Sequence, residues 1–187
     1  MRLTRVHVEQ ALAVGDTVVL PEDAATHLVR VMRMQPGDPC TLFNGDGNDY
    51  QARLLSAGKR GAEAEVVAST PVDNESPLRI VLLQGIARGE KMDWILQKAT
   101  ELGVAGFVPV ESERSEVRLD AARAGKRLAH WRSVVASACG QSGRARLPAV
   151  EPPQPLQAAL DALPAGSARF LLDPGAGESI ATVADAG

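Results

Sequence analysis

The chain holds only two cysteines and three histidines in 187 residues, and no CxxC or Cys/His spacing joins them. Neither a zinc site nor a disulfide framework is signalled, so Cys40 and Cys139 read as reduced cytosolic thiols. Apolar runs are short as well. None approaches the roughly 20 residues of a membrane span, and His7, Glu9 and Gln10 break the N-terminal stretch before a secretory h-region forms. No GxGxxG or Walker pattern is present, no internal repeat and no low-complexity tract. His7, His27 and His130 are scattered, and none stands with a Ser or Cys nucleophile and an acid in a triad motif. Together these absences exclude a secreted disulfide scaffold, a zinc protein and a motif-bearing hydrolase, and they place the chain in the cytoplasm without a membrane segment.

What is present is an ordinary globular composition, 45% hydrophobic and 23% charged. The length suits one large domain or two small ones at roughly 150 residues per domain. Lys+Arg 20 against Asp+Glu 23 leave a net charge of −3, but the charge is unevenly spread. Between the Pro/Ser/Asn-rich junctions 70–77 and 147–155, residues 77–150 carry 12 basic and 7 acidic groups, whereas both flanking blocks are net acidic. Arg114, Arg118, Arg123, Lys126, Arg127, Arg132, Arg144 and Arg146 face only Glu116 and Asp120 over 114–146. Such a field attracts phosphates, and a solvated helix face collects the same residues without function. The preponderance of Arg over Lys suits phosphate and base edges. Any nucleic acid is bound at a patch rather than by a uniformly basic surface.

The first seventy residues read as short strands with turn punctuation, Arg5–Val8, Thr17–Leu20, Cys40–Asn44, Asp49–Leu55 and Ala62–Val67, the cadence of a small β-barrel. The run from Asn44 to Tyr50 is rich in Gly, Asn and Asp and reads as a hairpin tip, with a phosphate cradle as the other reading. One helix interrupts the strands. It starts after Pro21 with Glu22 and Asp23 in its first turn, sets Ala25, Leu28 and Met32 on one face with Arg30 and Arg33 on the other flank, and stops at Pro36-Gly37-Asp38. Beyond residue 77 strand and helix alternate: a strand at Leu78–Gln84, a helix through Met92, Ile95, Leu96, Ala99 and Leu102 ended by Gly103, a strand at Phe107–Val110, a helix through Leu128, Trp131, Val135 and Ala138, a third helix at Leu156–Leu163, and a strand at Ala168–Leu172. This order implies a mostly parallel sheet with crossovers.

Several positions carry two readings. His27 is a packing or capping group or a base. Trp94, off the Met92/Ile95/Leu96 stripe and beside Lys91 and Lys98, is a core edge or a partner contact. Gln141-Ser142-Gly143-Arg144 follows the second long helix and is a C-terminal cap on Gly143 or a loop that meets a ligand. Asp173-Pro174-Gly175 follows the last expected strand, where ligands collect in open α/β sheets.

In order along nearly the whole chain, these segments resemble the RsmE family of rRNA methyltransferases. The barrel elements are His27-Leu-Val-Arg-Val-Met-Arg33 with Gly37-Asp38, and Asn44-Gly-Asp-Gly47 before Tyr50. The most distinctive run is Lys91-Met-Asp-Trp-Ile-Leu-Gln-Lys-Ala-Thr-Glu-Leu-Gly-Val104, followed by Pro109, Glu113-Arg-Ser115, Trp131, Gln141-Ser-Gly-Arg144 and Pro148. The resemblance implies a PUA-like, RNA-binding β-barrel over 1–72 and a SPOUT-type α/β methyltransferase domain with a trefoil knot over 77–187. It implies a homodimer that transfers a methyl group from S-adenosylmethionine, without a metal, to N3 of a uridine in 16S rRNA of the small ribosomal subunit. Arg114, Arg144 and Gln141 are then expected at the target nucleotide, stabilising a developing uridine anion or clamping its phosphate. Neither arginine is a base, since arginine stays protonated. Arg5, His27, Arg30, Arg33, Arg118 and Arg127 are expected to hold RNA, and Leu172, Asp173 and Pro174 to lie beside the cofactor. Family members continue past Asp173 into a GPEGG-type loop and an LGxRILRxETA-type segment that form the knot. Neither is found here, so the resemblance makes this a truncated chain, and the alternative function is that of an RNA-binding or dimerising fragment.

Overall fold

In a computed structural model the structure describes residues 4–58, 61–111, 121–173, 175 and 177. Strands β1 (Arg5–His7), β2 (Thr17–Val19), β3 (Pro39–Phe43), β4 (Asn48–Gly58) and β5 (Gly61–Pro71) form one sheet in the order β1-β3-β4-β5-β2. β1 runs parallel to β3, and the β3-β4-β5-β2 ladder is antiparallel. Alternation sets the faces: in β4 Tyr50, Ala52 and Leu54 are buried while Gln51 and Arg53 are exposed. Register shifts between Gln51 and Ala52 and between Leu54 and Ser56 add the local twist that bends a sheet around its own core. That core gathers Val6, Val18, Leu20, Leu28, Leu42, Leu54, Ala64 and Val66.

Helix α1 (Glu22–Thr26) covers one end of this core and passes into a π-helical turn, His27–Val31. The Met32 N–H donates to the His27 carbonyl, five residues back, rather than to residue 28. This wider turn corrects the expected helical face. Ala25 and Leu28 are buried, but the extra residue per turn rotates Met32 outward to 49% exposure. His27 is exposed too, so it is not the packing group anticipated from its place beside the apolar face. Arg33 ends the turn at φ 55, left-handed backbone rare for a residue with a side chain.

The second unit is built on β7 (Gly106–Glu111), which pairs in parallel with β6 (Val81–Gly85), β8 (Ala149–Val150) and β9 (Gln154–Pro155). Helices α2 (Glu90–Glu101) and α3 (Ala121–Ser142) cover one face and α4 (Leu156–Asp161) the other. Leu82, Phe107 and Val150 join Met92, Leu96, Trp131, Val135 and Cys139 in the larger core. Val81, Leu83, Val108 and Val110 turn the opposite way onto Ala159. α2 buries Met92, Leu96 and Thr100 at four-residue spacing. It stops at Gly103, where φ is +95 and the Val104 N–H reaches back to the Ala99 carbonyl, a Schellman closure.

Three expectations fail in this unit. Leu102, read as the last member of the apolar stripe of α2, is the residue that caps the helix and is 84% exposed. β6 begins at Val81 and not at Leu78, and Leu78 and Ile80 are 65% and 47% exposed. The expected strand Ala168–Leu172 pairs with nothing among the described residues: Phe170, Leu171 and Leu172 are 47%, 90% and 76% exposed. β-propensity alone does not make a strand, because the backbone groups need a ladder partner. Among the described residues no strand lies against the outer edge of β6.

Candidate functional site

The two units meet where β1 and the β3–β4 hairpin tip rest on the end of α3. The barrel supplies Phe43, wholly buried, to the core of the α/β unit. Gly140 allows this approach: a Cβ there would lie 3.6 Å from the Arg5 carbonyl oxygen and 3.8 Å from Phe43 Cε1. Arg5 stands over the Phe43 ring, its guanidinium carbon 4.9 Å from the centroid, in the range of a cation–π contact. It pairs with Asp49 and donates to the Arg144 carbonyl at 3.0 Å. His7 tilts against the same ring at 5.5 Å. Burial holds its pKa below the ordinary value, opposed in part by the charge of Glu9.

Gly143, at φ +88 with its N–H on the Cys139 carbonyl, caps α3, so Gln141 and Ser142 belong to the last helical turn and the loop begins at Arg144. The Arg144 side chain is 6% exposed. Its Nε donates to Glu75 Oε1 at 3.0 Å, its Nη2 to Glu75 Oε2, and its Nη1 to the carbonyls of Thr100 and Val104 at 2.9 Å each. The Thr100 carbonyl, which also accepts from the Gly103 N–H, lies in the last turn of α2, and the Val104 carbonyl lies just past the helix end. Arg144 therefore ties the inter-unit segment, the end of α2 and the end of α3 together. Asn74 adds a hydrogen bond from Nδ2 to the Gly143 carbonyl at 3.0 Å.

The hairpin tip closes the seam. The Gly47 N–H donates to the Ala145 carbonyl at 3.1 Å, and Asp46 and Arg146 form an antiparallel bridge. Tyr50 donates its hydroxyl to Asp46 at 2.6 Å. Partial burial would raise the Asp46 pKa, but hydrogen bonds with Tyr50, Asn48 and Asn44 hold it below the usual carboxylate value. The expected hairpin is thus present, fastened to the other unit.

Among the described residues singled out from sequence, the structure brings Arg5 and Arg144 together. Gln141 is exposed on the last turn of α3, and Arg127 is half-buried on the same helix. His27, Arg30 and Arg33 are exposed on the barrel, and His27 lines an open hollow with Glu22, Asp23, Thr26 and Val31. Leu172 and Asp173 sit on exposed chain and enclose nothing among the described residues, so they do not by themselves fit an adenosyl ligand. Arg114, Arg118 and Pro174 lie outside the described residues. Trp94 is 62% exposed, and its neighbour Asp93 pairs with His130 at 2.8 Å. Among the described residues no three His, Cys, Asp or Glu side chains converge as metal ligands, and no helix is long and apolar enough to cross a membrane.

Sequence reasoning missed Asp49, Glu75 and Phe43. Glu75 meets Arg144 across 69 residues from a segment with no periodicity, and no local signal marks it. Asp49 directly follows the hairpin tip, which is a usable hint that it faces whatever the tip docks on.

Comparisons with known proteins place this geometry. Residues 74–187 match the family model described as an RNA methyltransferase domain, and residues 20–67 the one described as an RNA methyltransferase PUA domain. Ribosomal RNA small subunit methyltransferase E of Bacillus subtilis (strain 168) is 33% identical over 150 residues, 80% of this chain and 57% of that protein. The protein of that name from Mycobacterium tuberculosis (strain CDC 1551 / Oshkosh) is 31% identical over 176 residues, 92% of this chain and 67% of its own length. The crystal structure of ribosomal RNA small subunit methyltransferase E from Neisseria gonorrhoeae bound to S-adenosyl methionine superposes with a TM-score of 0.82 at 47% identity, covering 88% of this chain and 67% of that one. The chain thus spans between 57% and 67% of the length of these relatives.

Proposed function

This chain belongs to the RsmE family of rRNA methyltransferases, and from that premise we propose that it acts in S-adenosylmethionine-dependent methylation of uridine N3 in 16S rRNA of the small ribosomal subunit. The observation that carries the reading is the likeness to the cofactor-bound Neisseria structure, which covers 88% of this chain. The barrel over 1–72 orients RNA through His27, Arg30 and Arg33, and the unit over 77–187 holds the target base, with Arg114 and Gln141 beside it and Arg118 and Arg127 contacting the adjoining RNA. Protein groups at such a site keep uridine N3 in attack geometry and stabilise the negative charge left as its proton departs. Arg144 serves here by positioning: its hydrogen bonds to Glu75 and to the end of α2 hold the loop that follows α3. A homodimer and a cytoplasmic location belong to the same proposal.

The exposure of Leu172 and Asp173 favours a second reading, in which this chain alone binds RNA and leaves cofactor binding incomplete. Calorimetric titration of S-adenosylmethionine into the 187-residue chain separates the two. Saturable one-to-one binding supports the enzyme reading for this chain. Absence of heat, with RNA binding retained, supports the fragment.

A further inference from the structure

Arg144 and Arg5 are both engaged inside the seam, which leaves open how a polyanion would be recognised there. Arg146, two residues on, is placed differently. It is exposed, and its guanidinium rests on the bare backbone of Gly47: a Cβ built on that glycine would lie 2.9 Å from Arg146 Cζ and Nη2 and 3.2 Å from Nε. Gly47 has φ +101, a backbone conformation that favours glycine, and its missing Cβ leaves room for the guanidinium to lie there. The backbone of Arg146 is fixed on both sides. It bridges Asp46, and its carbonyl accepts from Cys139 Sγ at 3.6 Å. Yet no guanidinium N–H of Arg146 meets an acceptor or a carboxylate among the described residues. The nearby Asp46 carboxylate is taken up by Tyr50 and by Asn48, and forms no ion pair with it.

An arginine whose backbone is fastened and whose plane lies on a glycine has lost much of its rotamer freedom before any ligand arrives, so little more is lost on binding. Its fork of donors suits a phosphate. The surrounding block 77–150 has an excess of basic groups, 12 against 7, which favours an anionic strand over an acidic protein loop of mixed charge. We propose that Arg146 binds one phosphate of the RNA strand at the seam between the hairpin tip and the end of α3, so that the substrate crosses both units there. This inference rests on the reading of the chain as an rRNA-acting protein and deepens it by naming a contact at the seam.

The test is fluorescence anisotropy with a fluorescein-labelled, uridine-containing single-stranded RNA oligonucleotide, titrated with wild type, Arg146→Gln and Arg146→Lys at salt from about 50 to about 200 mM. One phosphate contact on a single strand contributes about 0.7 to the slope of log affinity against log salt, so its loss lowers affinity about eight-fold at 50 mM salt and about four-fold at 150 mM. Arg146→Gln is expected to show both effects with its melting temperature unchanged, and Arg146→Lys to restore the slope with part of the affinity. Wild-type affinity and slope in Arg146→Gln, or a uniform loss with the slope unchanged, overturns the inference while RNA binding by the wild type leaves the rRNA reading standing. No RNA binding by the wild type overturns both.

Discussion

Replacing Arg144 by Ala removes the donor set that joins Glu75, the end of α2 and the end of α3. Taking one member from a buried ion pair costs about 3–5 kcal/mol, because the survivor stays charged and unpaired. The Glu75 side chain keeps 25% exposure, so water recovers part of that loss and the lower end, about 3 kcal/mol, applies. The carbonyls of Thr100 and Val104 each lose a hydrogen bond worth about 1 kcal/mol net, which brings the total to about 5 kcal/mol. At about 2–4 °C per kcal/mol for a chain of this size, Tm falls by about 10–20 °C. Thermal and urea unfolding followed by circular dichroism measure it, with Glu75→Gln and the double variant closing a cycle. Contact between the two side chains predicts a coupling of about 1–3 kcal/mol in that cycle. Arg144→Lys should recover less than half of the loss, since an ammonium cannot reach the four acceptors as a planar fork does. A melting temperature within about 2 °C of wild type for Arg144→Ala, or a coupling near zero, refutes the structural role given to this residue.

Three further outcomes follow from the same geometry. Phe43→Ala removes a fully buried ring from the core of the other unit, at about 3–5 kcal/mol; differential scanning calorimetry should show the two units uncoupling, and a single transition at the wild-type temperature contradicts the shared core. His7 is held below its ordinary 6.5 by burial, so between the folded and unfolded values the folded chain binds fewer protons; stability rises with pH there and is lost as pH falls from about 6.5 through the folded value. His7→Gln should flatten the urea midpoint between about pH 7.5 and about pH 5.5, and an unchanged slope assigns it elsewhere. Both thiols are buried and pushed up to about 11, so iodoacetamide at about pH 8 should label neither Cys40 nor Cys139 until the chain unfolds; rapid labelling of the folded protein counts against this packing.

Much of the architecture is legible because it rests on local rules. Alternation in 49–55 and 62–67 marks β4 and β5, the helical spacing of Met92, Ile95, Leu96 and Ala99 marks α2, and Gly103 marks its end. The failures are where a local rule meets a non-local requirement. The apolar run at 168–172 satisfies strand composition but has no ladder partner among the described residues. Met32 has the right residue type for the helix face and is turned out by a π turn that side-chain periodicity does not announce. The seam is the least legible part. Arg5 and Arg144 stand out in the sequence as cations available to RNA, and only their partners Asp49 and Glu75, 44 and 69 residues away, show that each guanidinium is paired within the chain. Arg146 shows the converse, since nothing in its spacing distinguishes it from Arg144, and the bare face of Gly47 does.

The most direct test of the proposed function is transfer of label from methyl-tritiated S-adenosylmethionine to purified small ribosomal subunits lacking the modification, followed by nuclease digestion and mass analysis of the nucleosides. Label confined to 16S rRNA and recovered as 3-methyluridine is the result expected. RNA binding without transferred methyl, at saturating S-adenosylmethionine, contradicts the methyltransferase reading for this chain.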